Sequence, residues 1–167
     1  MSLAIDRVAL LSGDISGRNL PIRPPWSAAE QAFRAACNSC GNCLKCCPTQ
    51  IISLGRGRMP QVSFDKGECL FCGNCVNSCD TGALSRQNAV WNLQAFIDNS
   101  LCLAYQNIEC RSCEDNCEVR AIKFAFLIGN VGRPQLNLEN CTGCGACYAI
   151  CPAGAIQIKT ATSEVQQ

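Results

Sequence analysis

Cysteine is the side chain that could do chemistry in this sequence. Sixteen of the seventeen cysteines fall into four groups of four. The first is Cys37, Cys40, Cys43 and Cys47; the second is Cys69, Cys72, Cys75 and Cys79; the fourth is Cys141, Cys144, Cys147 and Cys151. All three read C-x2-C-x2-C-x3-C, and Pro48 and Pro152 directly follow two of them. The third group departs from this. Cys110, Cys113 and Cys117 keep the last two gaps, but seven residues separate Cys102 from Cys110. Thiolates are soft donors that suit iron–sulfur clusters and zinc. Zinc ribbons space their C-x2-C pairs widely, and a third cysteine two residues on is not typical of them. The chain has no histidine, which excludes mixed Cys/His fingers and Rieske centres. A disulfide scaffold needs a secreted chain and an even cysteine count.

The x2-x2-x3 run is the bacterial ferredoxin spacing, in which three thiolates hold one cubane and the fourth ligates a second. Four runs therefore predict four [4Fe–4S] clusters. Joining adjacent runs, Cys37, Cys40 and Cys43 pair with Cys79, and Cys69, Cys72 and Cys75 with Cys47. In the second half Cys102, Cys110 and Cys113 pair with Cys151, and Cys141, Cys144 and Cys147 with Cys117. The alternative joins run one to run four and run two to run three.

The elements that must position these runs repeat along the chain. After Pro48, Ile51–Leu54, the turn Gly55–Arg58 and Gln61–Phe64 read as a β-hairpin between runs one and two. After Cys117, an apolar run from Ala121 to Ile128, a turn over Gly129–Gly132 and a return strand over Gln135–Leu138 repeat the design. The two hairpins favour adjacent pairing. Ser27 and Glu30 have capping-box spacing before helix-forming residues up to Ala36, with Phe33 facing inward. Between Cys79 and Cys102 there is no hairpin signal; Trp91, Phe96 and Ile97 lie near helical spacing and predict a linker helix. The expected architecture is α+β, two tandem bicluster ferredoxin-like units. Its parts are an N-terminal arm over 1–27, extended at Pro24-Pro25, a first unit over 28–84, a linker helix over 85–100, a second unit over 101–160 and a flexible tail over 161–167.

Composition agrees with a metal-held fold. The hydrophobic share is 48%, but without cysteine it drops to roughly 38%, a modest apolar supply that leaves the clusters to serve as core. The formal charge is +1; each ligated cubane adds −2, which takes a four-cluster protein to about −7. Nothing points to nucleic acid or an anionic membrane. No apolar run approaches transmembrane length, and the N-terminal stretch, with Asp6 before a short apolar Val8–Leu11, does not read as a signal peptide.

Cys46 is left over. Ending run one on Cys47 matches the other runs and places proline after the ligand, so Cys46 reads as a small buried apolar residue. Gly41, Gly73 and Gly145 sit between ligands, where they let backbone amides approach sulfur. Lys45, Arg111 and Arg120 read as surface charges, and Trp26 and Trp91 as packing residues. There is no catalytic histidine, phosphate loop or nucleophile motif, and no cluster lacks a fourth cysteine. The sequence thus reads as a cluster carrier and not as an enzyme.

The whole length resembles the NapF family, ferredoxin-type accessory proteins of periplasmic nitrate reductase systems. The likeness rests on Ile22-Arg23-Pro24-Pro25-Trp26-Ser27, on the four cysteine runs, and on Cys102-Leu103-Ala104-Tyr105-Gln106 leading into Glu109-Cys110-Arg111. Asp80 departs from it, standing where a ferredoxin motif commonly has proline. The resemblance implies a cytoplasmic protein that binds the catalytic subunit, NapA, before export and takes part in its maturation. The alternative is a single-electron carrier to a nitrate reductase or another oxidoreductase.

Overall fold

A computed structural model describes residues 21–127 and 130–161. Most of the expected arm, the residues at 128–129 and most of the tail lie outside the described residues. The elements run α1 (Glu30–Ala36), α2 (Asn42–Lys45), β1 (Ile52–Leu54), a 3-10 turn (Arg56–Arg58), β2 (Pro60–Val62), α3 (Asn74–Asn77) and β3 (Leu93–Ile97). They continue with a second 3-10 turn (Leu103–Gln106), α4 (Ser112–Asp115), β4 (Ile122–Leu127), β5 (Asn130–Leu136), α5 (Ala146–Ala149) and β6 (Ile156–Thr160). The strands form three antiparallel two-stranded ribbons, β1–β2, β3–β6 and β4–β5. Both expected hairpins are present. The second return strand starts earlier than expected, at Asn130, and the register shifts between Ala125 and Leu127.

The linker helix over 85–100 is overturned. Leu93 and Ala95 are buried while Gln94 and Phe96 are less so, an alternation of period two that suits a half-buried strand. β3 pairs along its whole length with β6, from Leu93 opposite Thr160 to Ile97 opposite Ile156. The same closure exists in reduced form in the first half. Ser27 bridges Leu84, and the Ala28 amide donates to Ala83 O at 3.1 Å, as Asp98 N does to Ala155 O at 2.7 Å. The repeat therefore runs from residue 27 to 84 and from residue 97 to 156, and much of the supposed linker belongs to the second unit.

The described end of the arm, residues 21–27, is also part of the first unit. Pro24 and Pro25 are fully buried and Trp26 is 8% exposed. Arg23 explains why. Its guanidinium forms a forked ion pair with Glu30 at 2.6 and 2.8 Å, donates to Pro60 O at 2.8 Å and lies 5.1 Å from the centre of the Phe33 ring. Glu30 is thus taken by Arg23, and the capping box does not form. The Ser27 hydroxyl instead donates to Pro24 O, and the N-cap is Ala29, which makes no side-chain cap. Substituting Arg23 by glutamine removes the fork and strands a partly buried Glu30 carboxylate. A loss of about 2 kcal/mol is expected, read by anaerobic urea unfolding of the cluster-loaded protein.

Two apolar clusters fill the halves. The first gathers Trp26, Phe33, Ile51, Ile52, Val62, Phe64 and Leu84. The second gathers Ala95, Ala104, Ile122, Phe124 and Ile156. Leu93 stands in the second unit's ribbon yet packs into the first cluster.

Candidate metal centre

The cysteines stand on short helices and on the loops before them. Cys43, Cys75, Cys113 and Cys147 each sit on a single-turn helix, α2, α3, α4 and α5. Before three of these turns the chain bends through Gly41, Gly73 and Gly145, with φ of 77°, 78° and 88°, left-handed values that glycine adopts without cost. At the fourth, Arg111 replaces glycine and its φ is −135°. Arg111 is not a free surface charge: it pairs with Glu114 and lies 5.7 Å from the centre of the Phe124 ring. Lys45 and Arg120 are exposed, as read. The long gap after Cys102 is filled by the 3-10 turn Leu103–Gln106, which the left-handed Asn107 ends at φ 61°.

Three hollows result. The first is lined by Cys37, Cys40, Cys43 and Cys79, with Phe33, Ala83 and Leu84 as apolar wall. The second is lined by Cys47, Cys69, Cys72 and Cys75, against Trp26, Ile51 and Phe71. The third is lined by Cys102, Cys110, Cys113 and Cys151, against Ile97, Phe124 and Ile156. Around Cys147, the sulfurs of Cys144 and Cys141 act most on its charge, followed by those of Cys113 and Cys117. In each unit the last cysteine of one run thus crosses to the other run's set. Cys46 lines none of the three hollows. It is half-buried, with its sulfur 3.4 Å from Cys43 O and 3.3 Å from Ser78 Oγ.

The donor sets can be tested against a [4Fe–4S] cluster. A tetrahedral zinc site gathers sulfur at about 2.3 Å from a single point. Among the described residues no three metal-ligating side chains converge in that way. The thiols stand instead four at a time around separate hollows walled by apolar side chains, the donor set that a [4Fe–4S] cube takes from cysteine. Burial, followed by mutual repulsion, pushes Cys43 and Cys147 up to about 12. Burial likewise pushes Cys69 and Cys113 up to about 12 and Cys75 to about 11. A cationic iron core would favour the thiolate form at these buried positions.

The backbone is arranged for negative sulfur. Amides of Phe71, Leu84, Ala95, Ala121 and Ala155 donate to the sulfurs of Cys69, Cys79, Cys141, Cys117 and Cys151 at 3.2–3.5 Å. At Cys79 burial raises the thiol, but the Leu84 amide and the Thr81 hydroxyl outweigh it, and its pKa falls. Such bonds stabilise ligating thiolates and tune a cluster's potential. The cysteine spacing carries no signal for these donors, nor for Arg86, whose guanidinium covers Gly73 and lies 5.2 Å from the centre of the Trp26 ring beside the second hollow.

The two units meet at their inner sets. Cys69 N donates to Cys144 O at 2.8 Å. The Phe64 ring lies so close on Gly145 that a Cβ there would sit 2.1 Å from Phe64 Cδ1. Phe64 stacks edge-on to Trp91 at 5.7 Å and approaches Tyr148 at 6.4 Å. Both tryptophans pack as read, and Trp91 Nε1 also donates to Arg23 O at 2.9 Å.

Comparison with known proteins agrees with this geometry. The family model "4Fe-4S dicluster domain" matches twice, over residues 36–83 and 108–155. The ferredoxin-type protein NapF of Escherichia coli K12 is 41% identical over 157 residues, covering 93% of this chain and 95% of its own. The chain belongs to the NapF family. NapF of Haemophilus influenzae is 46% identical over 136 residues, 81% of this chain and 77% of its own. More distantly, the methylamine utilization ferredoxin-type protein MauM of Paracoccus denitrificans is 31% identical over 83% of this chain and 70% of its own. This NapF-family chain is thus a ferredoxin-type iron–sulfur protein with tandem dicluster domains. Among its described residues no helix is long and apolar enough to cross a membrane.

Proposed function

We propose that this NapF-family protein holds four [4Fe–4S] clusters through its sixteen grouped cysteines and serves in the cytoplasm as a maturation factor for the catalytic subunit of a periplasmic nitrate reductase, before that subunit is exported. The observation that carries the reading is the likeness to NapF along nearly the whole chain, including the segment before the first run. In each set four thiols complete the coordination of one cubane. No iron is left open to a substrate, which fits an accessory protein and not an enzyme. A bound cluster of this kind supplies one-electron exchange. The chain's own residues hold and shield it: Phe33, Trp26 and Phe124 form an apolar wall on one side of their sets, and the amide donors set the charge at sulfur.

The second reading, a single-electron carrier, is favoured by the contact between the inner sets through Cys69 and Cys144. One titration separates the two. Anaerobically purified, cluster-loaded protein is titrated with the catalytic subunit lacking its cofactors and with the mature subunit. Preference for the cofactor-free form is expected. Equal or tighter binding to the mature form, with electron transfer to it, overturns the maturation role in favour of the carrier.

A further inference from the structure

The four cysteine sets have a definite spatial order. In the first unit, α2 packs on α3, which brings the helix of Cys43 against that of Cys75 and so the first set beside the second. In the second unit, α4 packs on α5, which joins the helix of Cys113 to that of Cys147 and so the third set to the fourth. Across the seam the contact is between Cys69 of the second set and Cys144 of the fourth. The order in space is first, second, fourth, third.

We propose that the Cys69–Cys144 backbone hydrogen bond is an electron bridge between the two units, making the four sets one line with the first and third at its ends. This rests on the four-cluster reading above. The bridge is short and continuous. From Cys69 Sγ it runs through Cβ and Cα to the amide nitrogen, across the 2.8 Å hydrogen bond to Cys144 O, then through C, Cα and Cβ to Cys144 Sγ. Both sulfurs belong to ligand sets, so the path leaves one candidate ligand and ends on another. The seam is closely fitted on the side of Gly145, while a cleft lined by Leu70, Asp115 and Thr142 opens beside Cys69 and Cys144. Gly145, next to Cys144, has no room for a side chain because Phe64 of the first unit occupies the space.

The step itself is simple in balance. One electron leaves a reduced cluster in the second set, which is oxidised, and enters an oxidised cluster in the fourth, which is reduced. No bond forms or breaks and no proton moves. The electron comes from a low-potential one-electron donor at one end of the line and leaves to an acceptor at the other. Cys40 of the first set and Cys72 of the second are exposed, which gives such a donor access to the first unit's side of the line.

The test uses the full chain, reconstituted anaerobically and fully reduced by photoactivated deazaflavin. Iron and Mössbauer analysis come first; a protein holding fewer than four cubanes overturns the four-cluster reading and is seen before the bridge is examined. Cys40→Ala with Cys110→Ala then removes one ligand from each end set. If the bridge exists, the two remaining clusters give a reduced electron paramagnetic resonance spectrum with an exchange splitting beyond the through-space dipolar broadening that their separation alone produces. Signals with no such splitting, from a variant that retains both inner clusters, overturn it. Phe64→Trp, with every cysteine kept, provides a second measurement, because a wider ring has no room over Gly145 and parts the seam. The expected result is unchanged iron and loss of the exchange splitting that crosses the seam. A reduced spectrum identical to that of the unsubstituted protein, from a variant in which fast exchange of the Cys69 amide shows the hydrogen bond broken, overturns the bridge.

Discussion

Anaerobic removal of iron by a chelator is expected to unfold both units, not to leave an empty protein of the same shape. Among the described residues the strands form only two-stranded ribbons, which are marginal on their own in water. The helices around the ligands are single turns, too short to persist without tertiary support. Each apolar cluster is built against a thiol-lined hollow, and Cys43, Cys75 and Cys147 are themselves among its buried members. Without iron, the buried thiols are neutral and the amides aimed at their sulfurs face much weaker acceptors. Iron binding is then folding free energy. Far-UV circular dichroism and amide exchange read the result: chelation should abolish slow-exchanging amides together with the cluster absorbance. Native-like protection surviving complete loss of iron would show that the apolar clusters suffice.

The crossed arrangement of the last cysteine in each run gives the second large effect. Cys37 and Cys79 line one hollow, whereas Cys47 lines the next. Cys37→Ala with Cys79→Ala should therefore damage one set and cost about four irons per chain, while Cys37→Ala with Cys47→Ala damages two sets and costs about eight. Alanine is chosen because a serine oxygen could replace the thiolate. If each run instead held its own cluster, the ranking would invert, and the Cys37/Cys47 pair would be the milder one. Iron per chain after anaerobic reconstitution decides between them. The Cys37/Cys79 pair, which leaves the set at the seam intact, should leave the second unit's cluster signals in place, since Cys102, Cys110, Cys113 and Cys151 form a separate set.

The cysteine groups and the hairpins were legible because both are local signals. Ligand spacing is set by how a few residues bend around one cage, and Gly55–Arg58 marks a turn wherever it occurs. The strand β3 was not legible for the opposite reason. Trp91, Phe96 and Ile97 fall at helical intervals, and only β6, far along the chain, supplies the hydrogen bonds that make Leu93–Ile97 a strand. Ile22–Ser27 reads as a free arm because two prolines favour extended backbone. Its burial depends on Arg23 finding Glu30, Pro60 and Phe33 together, a meeting that no local window contains. The amide donors to sulfur escape the sequence altogether, because every residue but proline carries the same N–H.

The closures at Ser27–Leu84 and β3–β6 bear on how the protein is made. In each half, the two paired segments lie on either side of all that half's grouped cysteines in the chain. On a ribosome the first partner of each closure appears before any of those thiols and the second only after the last of them. Neither half can shut until its full set has emerged, so each stays open to iron delivery for as long as it is incomplete. Leu93 adds a direction. It opens the second half's ribbon but rests in the first half's apolar cluster, so the half that emerges later finds part of its packing surface on the half made before it.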